Sequence, residues 1–156
     1  MADLLREIVD GALPNVWLGA TAENQARYDE RVRSLGELAA AGWRTWWSFE
    51  PLLSAIDMRL RRGGGGVPAD WAVGGGESGG VKARPCDVAW IRSIVQQCKA
   101  AGVPCYVKQL GANPLDDDAF KHDWPFPPRD RAGADPCEWP EDLRVRQLPE
   151  VVRAEG

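Results

Sequence analysis

Residues 70–111 read DWAVGGGESGGVKARPCDVAWIRSIVQQCKAAGVPCYVKQLG. A short apolar run, Trp71–Val73, ends on three glycines. Residues 85–102 then take up helical spacing. Asp87 is placed to cap the amino end, Val88, Ile91, Val95 and Cys98 form an apolar stripe, and Gly102 suits the carboxyl cap. A second apolar run, 103–111, follows at once. Strand, helix and strand in that order make a parallel unit, because parallel strands need a crossover and a helix is its usual form.

The same alternation extends upstream. NVWLGATA (15–22) is an apolar run introduced by Pro14. ENQARYDERVRSLGELAAAG (23–42) brings Tyr28, Val32, Leu35, Leu38 and Ala39 near one helix face and ends at Gly42. RTWWSFEPLL (44–53) reads as a strand closed by Glu50 and Pro51, and LSAIDMRLRR (53–62) as a short helix. GGGG (63–66) reads as a plain linker. The predicted fold is therefore α/β, with four parallel βα units forming half of a TIM-type barrel or a small open sheet. Residues 1–13 form a helical lead-in, 14–111 the half-barrel domain, and 112–156 an irregular Pro- and Asp-rich tail. Trp124, Phe126 and Trp139 are the tail residues expected to pack onto the domain.

Composition narrows the function classes. The chain has 156 residues, 44% hydrophobic and 27% charged, with a net charge of −4. That acidic balance argues against nucleic acid without excluding it, and Arg59, Arg61 and Arg62 are a local basic cluster read as a solvated helix end. No apolar run is long enough to span a membrane. MADLLREIVDG lacks the features of a secretory signal, so a cytoplasmic protein is expected. Cys86, Cys98, Cys105 and Cys137 stand 12, 7 and 32 positions apart. That spacing contains no C-x2-C pair and predicts four reduced thiols, with Cys98 on a buried helix face and Cys105 in a buried strand.

Ligands of parallel α/β folds bind at the carboxyl ends of the strands. Those ends carry Thr21, Glu23 and Asn24, then Ser48 and Glu50, then Gly74–Glu77 and Ser78, then Lys108 and Gln109. Gly74, Gly75 and Gly76 at a strand end would permit positive φ and open backbone N–H groups to an anion. Neither a G-x-G-x-x-G nor a Walker pattern is present. Glu50 and Glu77 are candidates to face each other beside Lys108, either as acid/base machinery or as an ion-paired rim.

Four motifs in order carry a resemblance: N-V-W-L-G with E-N-Q, E-P-L-L, G-G-E-S-G with A-R-P, and K-Q before Gly111. From Leu13 to Gly111 the chain resembles the carboxy-terminal half of a phage-associated family related to radical S-adenosylmethionine proteins. The resemblance implies a partial βα barrel holding S-adenosylmethionine and an iron–sulfur cluster at the strand carboxyl ends. It implies that Glu23, Asn24, Glu50, Gly75, Gly76, Glu77, Ser78, Arg84, Lys108 and Gln109 line the cofactor or substrate side. The C-x3-C-x2-C loop that binds the cluster in such proteins does not occur here, so no cluster is expected in this chain alone. The expectation is a truncated or split radical-SAM-like phage protein in a bacterial host. A non-catalytic remnant or binding module with a vestigial pocket is the alternative, and a cluster-independent enzyme using Glu50, Glu77 and Lys108 a third. Open half-barrel edges predict self-association or pairing with a separate amino-terminal half.

Overall fold

The helix starts follow from two side chains. Asn24 and Asp87 stand in extended backbone and accept from the N–H groups of Arg27 at 3.1 Å and Ala89 at 2.8 Å. Each satisfies a donor that the first helical turn leaves free. The structure is a computed structural model that describes residues 11–59, 69–116 and 128–150. Its elements are β1 (Trp17–Thr21), α1 (Gln25–Ala40), β2 (Arg44–Phe49), β3 (Trp71–Gly75), β4 (Cys86–Asp87), α2 (Val88–Ala101), β5 (Cys105–Gln109) and β6 (Pro114–Leu115). Gly102, at φ 74°, ends α2 in the left-handed region where glycine is unstrained.

The protein is mixed α/β. Four strands form a parallel sheet in the order β1–β2–β3–β5, and β4 pairs in parallel with β6. Along β2 burial alternates, with Thr45, Trp47 and Phe49 buried and Arg44, Trp46 and Ser48 half-buried. At β2 the sheet is thus fully covered on the Thr45, Trp47 and Phe49 face, whereas Ala72–Gly75 of β3 are buried without alternation. Both helices lie on that covered face. The Tyr28 ring of α1 lies tilted 4.7 Å from that of Trp47, and Ile94 of α2 packs over Gly74, the register partner of Phe49. On the other face Trp46, Trp71 and Tyr106 form a ladder across three strands, with ring separations of 5.5 and 6.3 Å. The Trp46 indole lies across Gly19, where a Cβ would collide with it.

Two differences from expectation have physical causes. Residues 53–59 form no helix (60–62 lie outside the described residues), so four βα units are not present among the described residues. The segment's backbone groups bond instead to side chains of both helices. Met58 N–H donates to Gln97 Oε1 at 2.7 Å, Gln97 Nε2 donates to the Ile56 carbonyl at 2.8 Å, and Asp57 N–H donates to Gln25 Oε1 at 2.7 Å. Leu52, Ile56 and Met58 reach the core from this irregular path. The tail, in turn, packs on the sheet. Residues 145–147 run antiparallel beside β5, with Val107 N–H donating to Val145 O at 2.8 Å and Gln147 N–H to Cys105 O at 2.9 Å. Trp139 and Leu143 are fully buried in the core. Trp124, Phe126 and the GGGG stretch lie outside the described residues.

Candidate functional site

The parallel sheet brings the carboxyl ends of its four strands to one rim, and backbone bonds tie the following loops together. Ala22 N–H donates to Ser48 O at 2.8 Å, Leu53 N–H to Glu23 O at 2.8 Å, and Leu52 N–H to Gly75 O at 2.9 Å. Glu50 and Lys108 meet on this rim, with Nζ 3.2 Å from Oε1. The Glu50 side chain is 18% exposed and that of Lys108 56%, so the carboxylate bears the desolvation while the ammonium keeps its water. Glu50 Oε1 is buried and, despite the ion pair, accepts no hydrogen bond. Glu23 Oε2 is in the same condition, 3.6 Å from the Arg31 guanidinium. Buried acceptors normally accept hydrogen bonds, so two buried carboxylate oxygens held by ion pairs alone set this rim apart from a simple solvated edge.

Glu77 does not face Glu50. It turns to Arg84, which grips it with Nε at 2.9 Å, Nη2 at 2.9 Å and its own backbone N–H at 2.7 Å. The guanidinium first, and the N–H second, hold the Glu77 carboxyl down to about 2 from an ordinary 4.5. Because the folded value is depressed, the contact favours the folded state above about pH 4.5 and is lost as pH falls towards 2. Arg84→Gln is expected to raise the Glu77 titration, followed by carboxyl NMR, back towards the ordinary range and to flatten the acid limb of stability. An unchanged titration in that variant would remove Arg84 as the cause.

The glycine run serves protein contacts. Gly74, Gly75 and Gly76 are buried, and none has positive φ. Gly76 N–H donates to Gln109 O at 3.1 Å, and Gln109 Nε2 returns a bond to Gly76 O at 2.7 Å. A Cβ on Gly76 would overlap the Leu110 carbonyl and approach Cys86 Cβ and Gly111 Cα at 2.9 Å. The close approach is therefore by the chain's own backbone, and the Gly76 N–H is not open to an anion. Asn24 likewise serves as a helix cap, whereas Ser78 is exposed. Of the predicted residues, Glu23, Glu50, Lys108, Glu77 and Arg84 form the ionic rim, and Gln109 braces it from within.

Arg31 was missed by sequence reasoning. Besides its ion pair to Glu23, it donates to the Thr21 carbonyl at 2.5 Å; its signal was a cation two helical turns beyond the cap at Asn24. The ladder of Trp46, Trp71 and Tyr106 was also missed, although the alternation in RTWWSF carries it. Cys98 on α2 and Cys105 on β5 are both buried, and interaction with the Cys105 thiol, together with burial, holds the Cys98 thiol above its ordinary value. Burial pushes the Cys86 thiol up to about 12. Among the described residues, no group of three His, Cys, Asp or Glu is arranged to hold a metal ion, and no helix is long and apolar enough to cross a membrane. A cleft of about 840 Å³ opens at the opposite, amino-terminal end of the strands, beside Trp17, Arg44, Asp70, Lys99 and Pro104. There Arg44 and Asp70 are closed on each other at 2.8 Å.

Comparison with curated proteins and with solved structures found no match. A family model described as "Protein of unknown function (DUF5131)" matches residues 1–135. That span includes both helices, the whole parallel sheet and the ionic rim, and the chain belongs to this family.

Proposed function

We propose that the chain is the S-adenosylmethionine-side half of a split or truncated radical-SAM-like phage protein, with the rim at the strand carboxyl ends as its ligand site. One observation carries the reading: Glu23 and Glu50 each hold a buried carboxylate oxygen that meets a cation, Arg31 or Lys108, but accepts no hydrogen bond. S-adenosylmethionine brings an ammonium, a sulfonium and a ribose diol, so it offers positive charge and hydroxyl donors to such acceptors. Glu50 and Glu23 would hold it, Lys108 and Arg31 would position their carboxylates, and Gln109 would keep the rim in place. The buried thiols of Cys86, Cys98 and Cys105 favour the part of the reading in which another chain supplies any iron–sulfur cluster, since thiolates are what such clusters require.

Titration calorimetry with S-adenosylmethionine tests this directly. Wild-type protein is expected to bind, and Glu50→Gln to weaken binding at least roughly tenfold, a loss of about 1.4 kcal/mol. Arg33→Ala, on the exposed face of α1, should leave binding unchanged. Equal affinity in wild type and Glu50→Gln would sink the assignment. Anaerobic iron–sulfur reconstitution separates the split-protein reading from one of self-sufficient chemistry. A stoichiometric cluster absorbing near ~400 nm on the isolated chain would overturn the former.

A further inference from the structure

The cleft at the amino-terminal end of the strands lies away from the ionic rim, and its volume of about 840 Å³ suits a small molecule. Trp17, Val95, Val103 and Pro104 give it apolar wall. Arg44 holds its guanidinium 5.9 Å from the centroid of the Trp17 ring and donates one N–H to Asp70 Oδ1 at 2.8 Å. The other Asp70 oxygen accepts from the Thr45 N–H, also at 2.8 Å. Both oxygens of the carboxylate are thus used, whereas the guanidinium keeps N–H groups with no described acceptor. Gln147 shows the same asymmetry. Its Oε1 accepts from Cys105 N–H at 3.1 Å, which fixes the amide and leaves Nε2 unspent among the described residues. Lys99, in the last turn of α2, lines the same cleft, and no described acid pairs with it. Unspent donors therefore come from Arg44, Gln147 and Lys99, against one unspent carboxylate, Glu150, at the exposed end of the described tail.

We propose that this cleft binds a small organic carboxylate with an apolar body, its head on Arg44, Gln147 and Lys99 and its body against Val95 and Val103. A guanidinium already held by a ring and a carboxylate loses little freedom on meeting a ligand. Its planar fork also matches a second carboxylate, with charge-assisted bonds. A neutral molecule of the same shape would bury these donors without acceptors. Glu150 on the same cleft disfavours a doubly charged phosphate, so one negative charge is the better match. The proposal is independent of the S-adenosylmethionine reading, because the two sites lie at opposite ends of the strands and share no residue.

Titration calorimetry of the full 156-residue chain with naphthoate, and with the neutral naphthamide as its isostere, tests the proposal. Naphthoate is expected to bind saturably and naphthamide at least roughly tenfold more weakly. Arg44→Lys keeps a cation beside Asp70 but removes the fork, and should weaken naphthoate binding at least roughly tenfold. Lys99→Gln, at an exposed helical site, leaves the fold in place and should weaken it roughly threefold. Arg33→Gln, on the exposed face of α1, should change nothing. NMR of the wild-type chain needs no substitution: naphthoate should shift the Trp17 indole N–H and the Gln147 side-chain amide and leave the Gln109 amide at the rim unmoved. Equal affinity for acid and amide, no saturable binding, or shifts centred on Gln109 would overturn the proposal.

Discussion

Gly76→Ala is expected to destabilise the protein by about 3 kcal/mol. The added methyl would stand inside the Leu110 carbonyl and 2.9 Å from both Cys86 Cβ and Gly111 Cα. Two of those three neighbours are backbone, so relief requires moving the β5–β6 turn rather than a rotamer. The turn is itself held by Leu110 N–H to Gly133 O and Ala112 N–H to Glu77 O, each 2.8 Å, so strain at residue 76 reaches both the rim and the tail. Gly74→Ala is the internal control. Its methyl would meet Ile94 Cγ2 at 3.8 Å, an ordinary contact, and should cost less than about 1 kcal/mol. Urea unfolding followed by circular dichroism measures both. Equal midpoints for the two variants would return the glycine run to a ligand-loop role.

Trp139→Ala should cost about 3–5 kcal/mol, the range for emptying a buried aromatic site. The side chain is fully buried, its indole N–H donates to Gly133 O at 2.9 Å, and the Arg146 guanidinium lies 5.2 Å from its ring centroid. Arg146 also covers Tyr106 at 5.4 Å. Losing the indole therefore loosens the strand that closes the β5 edge as well as opening a cavity. Hydrogen exchange should report this as faster exchange at Val107, whose N–H bonds to Val145 O. Loss of stability with Val107 protection unchanged would show that the tryptophan fills space without fastening the tail.

The elements that local chemistry governs were legible. Asp87 and Gly102 mark both ends of α2, and Asn24 starts α1, because caps act within a few residues of themselves. Strand positions followed from apolar runs. What failed was long-range. Residues 53–62 read as a short helix, yet Gln25 and Gln97 claim backbone groups of residues 56–58 from 32 and 39 to 41 residues away. Glu77 was matched with Glu50 by strand order, whereas the turn at 79–83 returns Arg84 to it. The Lys108 and Glu50 pairing on the rim was legible, since parallel strands must deliver their carboxyl ends together. The covered edge at 145–147 was not, because one antiparallel bridge leaves no periodic trace.

The sequential order β1–β2–β3–β5, with both helices on one face, bears on how the chain is made. Each new strand is added to the edge most recently finished, so the sheet can assemble in the direction of synthesis without earlier pairings being undone. Until residues 145–147 emerge, that growing edge stays uncovered. The tail is the last piece to seal it, and a ribosome-bound chain halted before residue 145 would leave the β5 edge without its bonds to Val145 and Gln147.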